Sequence, residues 1–251
     1  MVISYHQAIE IAKKFAEELR NKFHDKITAV FAIGSLGSNY YRPGKSDIDT
    51  FIITNCTRND KKAISKEIRT IANRYQNEFD IPKGFGAVVV AEGQLYPPYV
   101  AKEEIILEIL RLKTQSKLIY GSYDIEKIPM PPKQAIIDNE LAFQGWVDGE
   151  RKKKTSQDKE KFNRIAFINS TLMLLKRYLL IQHEIIEFNK FKVIELYLAN
   201  TPPFVNDEVF DFINSSLHDR DISLGEEHMS RMLKWRNELE KIINDLVLYN
   251  N

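Results

Sequence analysis

The chain has 251 residues, open to one large domain or two modest ones, and its 43% apolar and 28% charged residues are ordinary values for a globular protein. A formal charge of +1 argues against a surface built to track RNA or DNA. The single cysteine, Cys56, excludes an internal disulfide framework and fits a reducing cytoplasm. The most apolar stretch, 165–182, is interrupted by Asn169, Lys176 and Arg177, short of the ~20 apolar residues that cross a bilayer. With no basic-then-apolar leader in Met1–Tyr5, the expectation is a cytoplasmic protein with no membrane role.

Ser4 followed by Gln7 predicts a capping box, and Ala8, Ala12, Phe15, Leu19 and Phe23 then recur at helical spacing, ending near Asp25. ITAVFAI over Ile27–Ile33 and DIDTFII over Asp47–Ile53 predict two short strands, each covered on both faces. Between them, Gly34–Ser46 holds three glycines, three serines and a proline, which excludes a continuous strand. A charged helix over Asn59–Asn77, a third strand over Gly86–Ala91, a helix within Val100–Lys117 and an edge strand over Leu118–Gly121 follow.

Three prolines in Pro129–Pro132 exclude helix interior and central strand, so a domain break is expected there, dividing the chain into 1–127 and 128–251. Gln134–Glu150, Phe162–Glu187, Phe191–Ala199, Asp207–Ser215 and Glu226–Tyr249 all read as helix. The basic run Arg151–Lys154 reads as a solvated loop between helices. Trp146, Trp235, Tyr178 and Tyr197 could stack on a base or sugar, although aromatics at helical spacing are more often core. The five histidines form no HExxH or close pair, which leaves zinc unsupported.

The chemistry is concentrated between Ile33 and Ile53. Side chains two apart on a strand share a face, so Asp47 and Asp49 present neighbouring carboxylates while Ile48 turns to the core. Two such carboxylates repel, and a hard dication such as Mg2+ relieves that repulsion. Gly34-Ser35, at the end of the preceding strand, lets a phosphate approach the backbone amides and accept a hydrogen bond from the serine hydroxyl. Gly44-Lys45-Ser46 imitates the tail of a P-loop, but Asn39 stands where its first glycine is required and a strand rather than a helix follows.

The segment GSLGSNYYRPGKSDIDTFII resembles the nucleotidyltransferase superfamily that includes DNA polymerase beta, whose hallmark is Gly-Ser, a spacer of about ten residues, and Asp-x-Asp. With its helical second half, the chain is most similar to the aminoglycoside nucleotidyltransferases, such as the kanamycin- and streptomycin-modifying enzymes. The resemblance implies an α+β protein: a nucleotidyltransferase fold (mixed β-sheet with helices) followed by an all-α helical bundle domain that contributes to the substrate cleft. It further implies Mg2+, in a two-metal site, on Asp47 and Asp49. ATP is the expected co-substrate, with Gly34, Ser35, Lys45 and Ser46 on the nucleotide, and Lys190, in the step Asn189-Lys190, against the phosphates.

Active relatives carry a third carboxylate on the next strand, where this chain has Gly86. Glu92 lies six residues further on, too far to substitute, and Glu140, with Asp138 or Asp148 behind it, is the candidate acid from the helical domain. The expected activity is transfer of AMP from ATP to a hydroxyl of a small aminoglycoside-like molecule, with release of pyrophosphate; the resemblance also allows a homodimer. The alternatives are a toxin–antitoxin type module that binds nucleotide without turnover, and nucleotidylation of a protein.

Overall fold

The computed structural model describes residues 2–81, 83–98, 105–139, 156–200, 202, 204–218 and 226–249. The chain divides into two compact units, Met1–Ile136 and Ile137–Asn251. The first is a mixed four-stranded sheet with helices and the second is helical.

In the first unit, helix α1 (Tyr5–Phe23) starts from the expected capping box: Gln7 N–H donates to Ser4 Oγ at 3.3 Å, and Ser4 N–H donates to Gln7 Oε1 at 2.8 Å. The helix buries Ala8, Ala12, Phe15, Leu19 and Phe23, the face read from the spacing. Strands β1 (Ile27–Ile33), β2 (Ile48–Thr54), β3 (Phe85–Ala91) and β4 (Ser116–Gly121) lie in the order β3-β2-β1-β4. β1 runs antiparallel to β2 and β4, whereas β2 and β3 are parallel. A parallel pair needs a crossover, supplied by helix α3 (Arg58–Glu78), which is capped by Thr57 and packs on β3.

Strand alternation decides which side chains face α1 and α3. Val30, Ala32, Ile48, Ile52, Phe85 and Val89 join Phe15, Leu19, Ile68 and Tyr75 in one core. Phe31, Ile33, Asp49, Phe51, Ile53 and Gly86 therefore turn to the other face. Helix α4 (Ile105–Thr114), with Ile105, Ile109 and Leu112 buried, packs on β1 and β4. Two buried hydroxyls bind β2 to β3: Thr50 Oγ1 donates to Gly86 O at 2.9 Å and Thr54 Oγ1 to Val90 O at 3.0 Å.

Residues 133–139 are helical (α5), and the division between the units falls within them. The second unit is built on α6 (Ser156–His183), which packs against α7 (Lys190–Ala199) and α9 (Glu226–Tyr249); α8 (Asp207–Leu217) packs on α7. From Phe167 to Ile181 α6 is buried on nearly every side, as befits a central helix. It ends at His183, four residues earlier than its periodicity suggested. Glu184 adopts φ 56, and Glu187 Oε1 accepts the N–H groups of Phe188 and Asn189 at 2.7 Å, a local bonding pattern that replaces the helical one. Tyr178, Tyr197 and Trp235 are core: Tyr197 stacks on Phe210 with centroids 5.7 Å apart, and Trp235 meets the same ring edge-on at 5.8 Å. Trp146 and the basic run 151–154 lie outside the described residues. No described helix is long and apolar enough to cross a membrane.

Candidate active site

β1 stops at Ile33 because Gly34 turns left-handed, φ +63, into the single helical turn α2 (Gly34–Gly37). Ile33 pairs with Asp49 in the ladder, so that corner sits beside the start of β2. A Cβ on Gly34 would stand 3.6 Å from Asp49 Oδ2. The corner is braced by Ser38, whose Oγ and N–H both donate to Gly34 O, at 2.7 and 3.0 Å. Ser35 Oγ is shielded from solvent and has no hydrogen-bond partner among the described residues, an arrangement expected of a hydroxyl whose partner is a ligand.

The loop then folds back on itself. Lys45 N–H donates to Arg42 O at 3.0 Å, and Arg42 N–H donates to Ser46 Oγ at 2.9 Å. The Ser46 hydroxyl thus closes a turn, Lys45 is exposed on it, and β2 follows directly, which removes the P-loop resemblance. Ile48 is fully buried. Asp47 is exposed and Asp49 half-buried.

Asp49 is held in an unfavourable state for an anion. Burial, followed by the neighbouring charge of Asp47, pushes its carboxyl up to about 7, with Arg111 opposing the rise and Glu108 adding to it. Asp47 also helps burial raise the Tyr41 phenol. Among the described residues, no three His, Cys, Asp or Glu side chains come together as a metal cage. An ion here would be held by the Asp47–Asp49 pair and complete its shell with phosphate and water oxygens, the usual habit of Mg2+. The residues fit that ion: two acids are present, the inner one is disfavoured as an anion by burial and by its neighbour, and a buried hydroxyl stands beside them.

Such a site must link metal binding to proton release. Lowering the pH below about 7 is expected to weaken the apparent Mg2+ affinity by up to roughly tenfold per pH unit, because the ion must displace a proton from Asp49. Titration calorimetry in two buffers of different ionisation enthalpy checks this, and a pH-independent affinity from 5.5 to 7.5 contradicts it.

The structure gathers Gly34, Ser35, Asp47 and Asp49 at one edge of the sheet, with Lys45 and Ser46 on the adjoining turn. Lys190 opens α7 in the second unit, where its Nζ donates to Asn169 Oδ1 at 3.3 Å and Asn189 caps the helix by accepting two N–H groups. Glu140 and Asp148 lie outside the described residues, and Asp138 is exposed. Glu92 has left β3 for a short 3-10 turn.

Position 86 is the register partner of Asp49, and a Cβ there would fall 2.1 Å from Asp49 Oδ1. Sequence reasoning missed Glu108 and Arg111 of α4, whose charges act on Asp49. The available signal was an acid and an arginine three residues apart, set among the buried Ile106, Ile109, Leu110 and Leu112. A cavity of about 540 Å³, lined by Arg20, Asn21, His24, Asp25, Ile27 and Tyr120, lies at the opposite end of β1 and is separate from this site.

Among curated proteins none matches the sequence. The structure is similar to that of the spectinomycin adenyltransferase AAD(9) from Enterococcus faecialis with ATP and spectinomycin, at 16% identity and a TM-score of 0.56. The match covers 94% of this chain and 99% of that one, a likeness of fold. A toxin–antitoxin structure, MntA-HpeT, aligns at 12% identity and a TM-score of 0.29, over 56% of this chain and 92% of that one. The fold is thus like that of this adenyltransferase, a mixed-sheet unit followed by a helical region. Residues 12–113, which contain the Gly-Ser corner, Asp47, Asp49 and most of α4, match the nucleotidyltransferase domain family.

Proposed function

We propose that the protein transfers AMP from ATP to a hydroxyl of a small, aminoglycoside-like acceptor and releases pyrophosphate. The observation that carries this reading is the Asp47–Asp49 pair, its inner member destabilised as an anion, beside a glycine corner and a buried, unpartnered serine hydroxyl. Bound Mg2+ would supply the positive charge that offsets the phosphates and the departing pyrophosphate. Asp47 and Asp49 hold and orient that ion, Ser35 donates its hydroxyl to a phosphate oxygen, and Gly34 leaves the backbone open to the nucleotide. Lys45, exposed on the turn before β2, offsets charge on the leaving group. Fold likeness to an adenyltransferase supports an AMP donor and an aminocyclitol acceptor.

Incubation with Mg2+, each ribonucleoside triphosphate and a panel of aminoglycosides and aminocyclitols tests the reading. Acceptor-dependent pyrophosphate and an acceptor mass raised by one adenylyl group are expected. The second reading, nucleotide binding without turnover, is favoured by Gly86 opposite Asp49. It would show as tight Mg-nucleotide binding with no pyrophosphate from any acceptor.

A further inference from the structure

Turn α2 carries Ser35, whose shielded hydroxyl no described residue engages, and the backbone around that hydroxyl is tied at several points. Ser38 donates twice to Gly34 O, and Tyr40 N–H donates to Ser35 O at 2.9 Å. Between them Asn39 is left-handed, φ 61, and its Oδ1 accepts from Tyr5 Oη at 2.6 Å.

On its other side the turn rests on the sheet, against β1, β2 and β4. A Cβ on Gly37 would stand 2.3 Å from Gln115 O, 2.5 Å from Ala32 O and 3.0 Å from Ser116 Cα, the first two shorter than any ordinary Cβ contact. Gly37 has no positive φ, so glycine is required here for space rather than for backbone freedom. Gly34 and Gly37 thus serve the turn differently, one by its angle and the other by its missing side chain. The obstructing atoms are backbone and cannot swing aside. Ala32 pairs with Lys117 in the β1–β4 ladder, while Gln115 is buried and its N–H donates to Arg111 O at 2.8 Å. A methyl group at position 37 must lift the turn by about 1 Å to reach an ordinary carbon–oxygen separation, and Ser35 moves with it.

We propose that Gly37 is a positioning residue of the nucleotide site: its missing side chain lets α2 rest directly on the backbones of β1 and β4. Together with the Ser38 brace, this sets the Ser35 hydroxyl at the depth where it meets a phosphate oxygen. The inference rests on the nucleotidyl-transfer reading above. A hydroxyl fixed before the ligand arrives loses little freedom on binding, so a rigid seat raises affinity without adding a contact.

The test is a double-mutant cycle read by the Kd of the Mg2+ complex of a nonhydrolysable alpha,beta-methylene ATP, with thermal melting of each variant alongside. Ser35→Ala is expected to weaken binding about tenfold or more, the loss of a hydrogen bond to a charged group. Gly37→Ala is expected to match that loss within about threefold, and to cost less than about threefold further when added to Ser35→Ala, which has no hydroxyl left to misplace. Its melting temperature falls in both backgrounds, because the backbone contact is the same. A merely structural glycine gives equal losses of affinity with and without Ser35. Should Gly37→Ala not fold, Ser38→Ala, which removes the Oγ brace from Gly34 O without adding an atom, carries the same cycle with the same expected non-additivity. The proposal is overturned if Gly37→Ala or Ser35→Ala binds the analogue as wild type does, or if the loss is undiminished in the Ser35→Ala background. Failure of wild type to bind the Mg2+ analogue would instead overturn the nucleotidyl-transfer reading beneath it.

Discussion

Asp49→Asn is expected to lower pyrophosphate release by at least about a thousandfold while making the metal-free protein more stable at neutral pH. The two effects have one cause. Asp49 is half-buried next to Asp47, and both burial and that neighbour disfavour its charge, bringing its carboxyl to about 7. An asparagine keeps the shape and removes the charge, so the ion loses an inner ligand and the fold loses an unfavourable anion. The folded-state value stands above that of an unfolded aspartate, so the folded protein holds the extra proton between about pH 4 and 7. Stability from this group is therefore complete below about 4, falls as the pH rises through that window and stays low above it. In the Asn variant that decline disappears, and at pH 8 the metal-free protein gains on the order of 2 kcal/mol. Chemical denaturation at pH 4 and pH 8 with EDTA checks the gain. Equal destabilisation at both values would mean that Asp49 supports the fold rather than the ion.

Gly86→Ala should weaken Mg2+ binding on the order of tenfold and slow pyrophosphate release by about a hundredfold or more, the scale of effect expected when a catalytic group is displaced by about 1 Å. The added methyl would lie 2.1 Å from Asp49 Oδ1 and 3.3 Å from its Cγ, so the carboxyl must turn away from position 86 and lose its present orientation. The fold itself should lose only about 1–3 kcal/mol, the usual penalty for overpacking. Gly86→Glu, which places an acid where the family resemblance implies one, meets the same obstruction and is expected to be no more active than Gly86→Ala. Gly93→Ala is the control, since a Cβ on Gly93 meets nothing within 4 Å. Unchanged turnover in Gly86→Ala would show that Asp49 can work from another rotamer.

Much of this was legible from local pattern. ITAVFAI and DIDTFII announce covered strands because branched apolar residues with no polar interruption have few other uses, and Ser4 with Gln7 marks a helix start by the bonds the two can make. Even the absence of a third strand acid could be read, and the parallel register sets Gly86 against Asp49. The α4 pair could not be read in the same way. Its helix was expected, but nothing local tells which element its charged residues will meet, because that depends on how α4 returns to β1 after β3 has been placed. The end of α6 was misplaced for a related reason: apolar residues continue through Ile185 and Ile186, whereas the left-handed Glu184 turns the chain away from the helix.

The mixed polarity of the sheet has a further consequence. β2, β3 and β4 all begin, and β1 ends, at the edge that carries Asp49, as the pairings of Ile33 with Asp49 and Ser116 and of Ile48 with Phe85 require. Every segment that enters this edge, including the turn before β2, the chain before β3 and helix α4 before β4, therefore approaches the end of the sheet that carries Asp49. Under the proposed transfer reaction, changes in those entrances are expected to alter the accepted substrate while the ladder is left intact, whereas insertions after β2 or β3 emerge at the far rim, away from Asp49.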